Sequence, residues 1–144
     1  MSAVLLSIKP RFAVRILSGD KTAEVRRRFP ALEPDTVMYL YASTPVRAVV
    51  GTLRLEAVHA DTPHSLWRRF GPRLDISEEY FTEYLDGRNE AAVVELGVRE
   101  KWSRPVTLDK LRTVVRVEPP QSFRYLDSAQ EGELRKAARE GADS

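Results

Sequence analysis

"GDKTAEVRRRFP", residues 19 to 30, sets a glycine, a lysine and a glutamate directly ahead of three consecutive arginines. Just upstream, Pro10 to Ser18 carries Phe12, Ala13, Ile16 and Leu17 at helical spacing. Proline suits the first turn of such a helix, and Gly19 suits the residue just past its end. Before it, "VLLSI" (4 to 8) reads as a short buried strand. After it, "TAEVRRRF" alternates with period two, so that Thr22, Glu24, Arg26 and Arg28 share one face and Ala23, Val25 and Arg27 the other. Strand, helix, glycine turn and charged strand therefore gather Arg11, Arg15, Lys21, Glu24, Arg26 and Arg28 into a small volume. Guanidinium groups hold phosphate or carboxylate through paired hydrogen bonds, and a lysine adds a point charge. Glu24 among them suits an acceptor for a base or ribose hydroxyl, or a general base. The same spacing also suits a structural Glu24–Arg26 ion pair.

Working outward, "VMYLYAS" (37 to 43) and "AVVGTLRLEAV" (48 to 58) are strand-like and joined by the turn "STPVR". Gly51 inside the second run signals a bulge or a close backbone approach. Thr62 and Pro63 suit the start of a helix through "TPHSLWRRF". Asp75 and Glu78 have capping-box spacing, and Ile76, Tyr80, Phe81, Tyr84 and Leu85 form an apolar stripe expected to be core. "AAVVELGV" (91 to 98) reads as a strand, "TLDKLR" as a helical turn, "TVVRV" (113 to 117) as a strand, and "PPQSFRYL" (119 to 126) as an irregular aromatic stretch. In that stretch Phe123 reads as core, while Tyr125 is a candidate stacking platform. Residues 1–126 make one domain, and the polar residues 127–144 read as frayed helix or disorder. The strands are not separated by regular helices, which predicts an α+β fold: a small, mostly antiparallel β-barrel with flanking helices and a helical insertion.

The chain has 144 residues, no cysteine and a formal net charge of +2. Residues 1–30 hold seven cations against two carboxylates, so the remainder carries −3. That asymmetry points to an anionic partner, or to pairing of basic with acidic segments within the fold. Without cysteine there are no thiolate metal sites and no cysteine nucleophile. Phosphate-cradling glycine loops, dinucleotide fingerprints and a nucleophile elbow are absent, and His59 and His64 lack a metal-ligand pattern. No cofactor, no metal, no membrane association and a cytoplasmic location are the expectations.

The stretch "SIKPRFAVRILSGDKTAEVRRRFP" resembles the start of an ASCH domain, a member of the PUA-like superfamily, whose hallmark falls on Gly19, Lys21, Glu24 and Arg26. "YASTPVRAVVG", "ISEEYFTEYLDG" and "PPQSFRYL" extend the likeness over about residues 3 to 126, in the manner of a subgroup of PUA-like predicted regulators. The resemblance implies a β-barrel with a cleft lined by the motif, and RNA or a modified nucleoside as ligand. Nucleic-acid contacts are then expected from Lys9, Arg11, Lys21, Glu24, Arg26, Arg28, Ser43, Thr44, Ser122 and Tyr125. Some relatives resemble ribonucleases, and metal-independent RNA cleavage would draw on Lys21 and Glu24 as the catalytic pair. Others deacylate acetylated cytidine. Here Glu24 replaces the threonine of that group, and Arg73 and Leu74 fall where its catalytic glutamate would stand, which counts against deacylation.

Overall fold

The computed structural model describes residues 3–143. It is an α+β fold built on one mixed sheet. The chain runs β1 (Ala3–Ile8), α1 (Pro10–Ser18), β2 (Ala23–Arg26), β3 (Val37–Ala42), β4 (Ala48–Asp61), α2 (Pro63–Leu74), α3 (Glu78–Tyr84) and β5 (Ala91–Thr107). It then forms α4 (Leu108–Lys110), which passes into a π-helical turn (Leu111–Val115), followed by β6 (Phe123–Leu126) and α5 (Ser128–Asp143). Strand order is β2-β5-β4-β3-β1-β6, and every pairing is antiparallel except β1 with β3.

This sheet does not close into the expected barrel, because its edge strands β2 and β6 are not hydrogen-bonded to each other. The Arg26 side chain instead reaches from β2 to the Ser7 carbonyl on β1 (2.9 Å). The register between the long strands β4 and β5 shifts at several points, one of them beside Gly51. A Cβ there would stand 2.3 Å from the Glu100 carbonyl oxygen, so only glycine allows the two backbones to approach this closely.

Both faces of the sheet are covered, as period-two alternation of apolar residues along β1 and β3 requires. Leu5 and Tyr39 point to a core with Trp102, Leu111, Leu126 and Leu134. Leu6 and Leu40 point to a second core with Ile16, Leu53 and Leu96. A third joins Ala23 and Val25 of β2 to Leu66 and Phe70 of α2, Phe81 of α3 and Leu85 just past its end.

Four segments differ from expectation. Within the described residues the tail is helical. It forms α5, and Leu134 and Ala137, three apart on one face, are buried against the sheet. "TVVRV" is no strand: Leu111 and Val115, four apart, are buried by a π-helical turn, and Arg116 at φ 63° ends it. Conversely, "FRYL" pairs with β1 as β6. Asp75 builds no capping box. It ends α2 in the left-handed region, and Ser77 caps α3 by accepting from the Tyr80 amide.

Candidate functional site

The charged face of β2 meets a cavity of about 470 Å³ where β1 ends and α1 begins. Local structure explains how each group arrives there. Gly19, at φ 92°, closes α1 with its amide on the Ile16 carbonyl and turns the chain back. Hydrogen bonds donated by the Lys21 amide to the Arg15 carbonyl and by the Thr22 amide to the Arg73 carbonyl (both 3.0 Å) then hold this connection between the ends of α1 and α2. Lys21 is 1% exposed, and its ammonium donates to the Leu74 carbonyl at the C-terminal end of α2. That is the pole of a helix where free carbonyls and the macrodipole favour a cation.

Lys21 Nζ also stands 3.3 Å from Glu24 Oε1 and 4.9 Å from the Phe12 ring centre. Glu24 Oε2 lies 3.4 Å from Arg26 Nη2. Arg26 donates through Nη2 to the Ser7 carbonyl and through Nη1 to Ser122 Oγ (3.4 Å), while its buried Nε has no partner. Two cations and one carboxylate, all buried, leave this cluster with a net positive charge beside the cavity.

Glu24 and Arg26 line the cavity together with Ser7, Ile8, Lys9 and Phe12. Tyr41 and Ser43 contribute from the end of β3, Ile76, Tyr80 and Tyr84 from α3 and the loop before it, and Pro119, Pro120 and Gln121 from the stretch before β6. Burial pushes the Tyr41 phenol up from its ordinary value, against the pull of Arg112 and Arg47. Lys9 Nζ donates to the Tyr80 hydroxyl at 3.4 Å.

Of the expected site residues, the structure brings Lys9, Glu24, Arg26 and Ser43 to the cavity surface, with Lys21 buried behind Glu24 and Ser122 held by Arg26. Arg11 lies over the Phe12 and Tyr80 rings (4.8 and 5.4 Å) without lining the cavity. Arg28, Thr44 and Tyr125 are exposed and away from the lining. Tyr80 and Tyr84, read as core from sequence, both line the cavity, and of the two Tyr84 also packs against the core of α2 and α3. The available signal was their spacing, which places them on one helix face beside the face that Phe81 and Leu85 bury.

Across β2, a separate polar group joins α2 to β4 and β5. His59 meets Glu95 at 2.5 Å, and Arg73 meets the other oxygen at 2.6 Å. Burial raises the Glu95 pKa, but the hydrogen bonds from Arg73 and His59 outweigh it and leave a net lowering. Among the described residues no group of three or more His, Cys, Asp or Glu could hold a metal ion, and no helix is long and apolar enough to cross a membrane.

A family model described as "Domain of unknown function (DUF365)" matches residues 1–117. An ASCH domain-containing ribonuclease from Zymomonas mobilis is 35% identical over 123 residues, spanning 85% of this chain and 82% of the relative. The chain belongs to the ASCH domain family. The crystal structure of ASCH from Zymomonas mobilis superposes on this ASCH domain with a TM-score of 0.88 at 33% identity, covering 93% of this chain and 94% of that one. Human THYN1, solved in complex with 5-methylcytosine-containing DNA, shares the fold at a TM-score of 0.57 and 12% identity, covering 95% of this chain and 98% of that one.

Proposed function

We propose that this ASCH domain binds RNA in the cavity between β2, α1, α3 and the stretch before β6. The observation that carries this reading is the buried Lys21–Glu24–Arg26 cluster, whose uncompensated positive charge sits beside an open cavity of about 470 Å³. Buried charge without full compensation is costly, and an anionic ligand relieves it. Lys9 at the mouth and Arg11 on the rim contact phosphate. Glu24 accepts from a base edge or a ribose hydroxyl, and Ser43 and Gln121 add hydrogen bonds. Lys21, which does not line the cavity, is a positioning residue: it caps α2 and holds the Glu24 carboxylate. Fluorescence anisotropy of a labelled single-stranded RNA, titrated at low and moderate salt, tests the reading. Affinity should fall with salt at about −0.7 log units per log unit of salt for each phosphate contact, and less steeply in Lys9→Ala. Absence of binding at low salt would sink it.

A ribonuclease activity is the second reading, favoured by the 35% identity to the Zymomonas mobilis ribonuclease. In cleavage by transesterification the 2′-oxygen bonds to phosphorus while the P–O5′ bond breaks. One proton leaves the 2′-hydroxyl and another reaches O5′. In this reading Glu24 takes the first, and the Tyr41 phenol, pushed up by burial at the cavity lining, gives the second. A time course with end-labelled RNA should show fragments with the native chain and none with Glu24→Gln or Tyr41→Phe. Intact RNA after long incubation with the native chain, in chelator and in added divalent cation alike, would leave binding alone.

A further inference from the structure

We propose that Tyr80 and Tyr84 form a stacking wall for an unpaired nucleobase, so that the cavity takes unstacked, single-stranded nucleic acid. This deepens the RNA reading and rests on it. Helix α3 buries Phe81 in the core and packs Tyr84 against the same cluster, while Tyr80 lies outside that cluster and both tyrosines are only half-buried. Their rings lie 6.2 Å apart and 10° from parallel, and both line the cavity. A flat ligand laid on one ring is therefore parallel to the other.

Neighbouring side chains brace the rings. The Arg27 guanidinium lies 4.4 Å from the Tyr84 ring centre and donates to the Tyr84 carbonyl. Arg11 lies 5.4 Å from the Tyr80 ring centre, and Phe12 packs edge-on against that ring at 5.7 Å. Neither Arg11 nor Arg27 lines the cavity, but Lys9 does, with its ammonium 5.6 Å from the Tyr80 ring centre, so a base laid on this wall meets that cation as well. Pro119 and Pro120, which have no backbone N–H, add apolar surface to the same cavity. A base inside a duplex has both faces covered and cannot reach such a wall, whereas an unstacked base can.

The test compares a short single-stranded RNA with the same strand made abasic at every position, binding each to the native chain, Tyr80→Ala, Tyr84→Ala and Tyr80→Phe. The native chain should bind the abasic strand about 5- to 150-fold more weakly, the range of one stacked base. Each alanine variant should show that loss on the normal strand and no further loss on the abasic one, and Tyr80→Phe should resemble the native chain. Equal native affinity for both strands would overturn the proposal while leaving phosphate binding intact. So would alanine variants that weaken both strands alike, since the rings would then only support the fold. No binding of either strand would remove the RNA reading and this inference together.

Discussion

Each side of the sheet buries a polar group, and the two groups are built on opposite principles. On the side covered by α5, Tyr39 is fully buried and its hydroxyl donates to Glu131 at 2.6 Å, with Arg135 3.7 Å from that carboxylate and over the Tyr39 ring. One cation meets one carboxylate at the edge of the core, and the buried partner is neutral. On the cleft side, Lys21, Glu24 and Arg26 are all charged, all buried and out of balance, and the group opens onto a cavity. The first arrangement satisfies a phenol so that a helix can cover it. The second maintains charge where a ligand can reach it, at the expense of stability.

The largest expected effect breaks the cleft cluster. Glu24→Ala leaves two buried cations without their shared carboxylate and should cost about 3–5 kcal/mol, measured by urea unfolding. On the opposite side, Glu131→Ala removes the acceptor of a neutral hydroxyl and should cost roughly 1–2 kcal/mol. If the two losses are equal, the cleft cluster is hydrated and the contrast disappears. Between them falls Leu134→Ala at about 2–4 kcal/mol, because Leu134 is completely buried in the core under α5. A negligible loss there would mean that α5 does not seal that face.

The same contrast explains what could be read from sequence. Helix α1 was legible because Pro10 and Gly19 punctuate it, and the shared face of Glu24 and Arg26 because a strand alternates. The two tyrosines of the wall were not, since aromatics four apart on a helix look like core until the neighbouring face is seen to be filled. Helix α5 was hidden for a related reason. Leu134, Ala137 and Ala138 make a narrow stripe in a segment otherwise dominated by charge, and only contact with Tyr39, Trp102 and Leu111 gives that stripe a purpose. In "TVVRV" the β-branched residues favour a strand, but burial of Leu111 and Val115 overrides that preference. Ser7, Pro119 and Gln121 reach the cavity from opposite ends of the chain, and no local pattern announces such a meeting.

The smallest effect sharpens the comparison through pH. Burial pushes the Tyr39 phenol far above its ordinary value near 10, with the hydrogen bond to Glu131 adding to the rise. A raised folded-state pKa means that the folded chain keeps its proton after the unfolded chain has begun to lose it. The contribution is therefore complete below about pH 10 and declines as pH rises further. At one unit above the ordinary value the loss from Tyr39 should be roughly 1 kcal/mol. Urea midpoints measured from neutral pH into the alkaline range should fall above about pH 10, and Tyr39→Phe should remove most of that fall. Tyr41 is raised for the same first reason, but it lines the cavity. Bound RNA should therefore move the titration of Tyr41 and leave that of Tyr39 in place, which absorbance at the phenolate band can follow in the Tyr39→Phe and Tyr41→Phe variants. Both phenols belong to the core under α5, and equal response of the two to RNA would mean that the ligand does not act through the cavity end of that core.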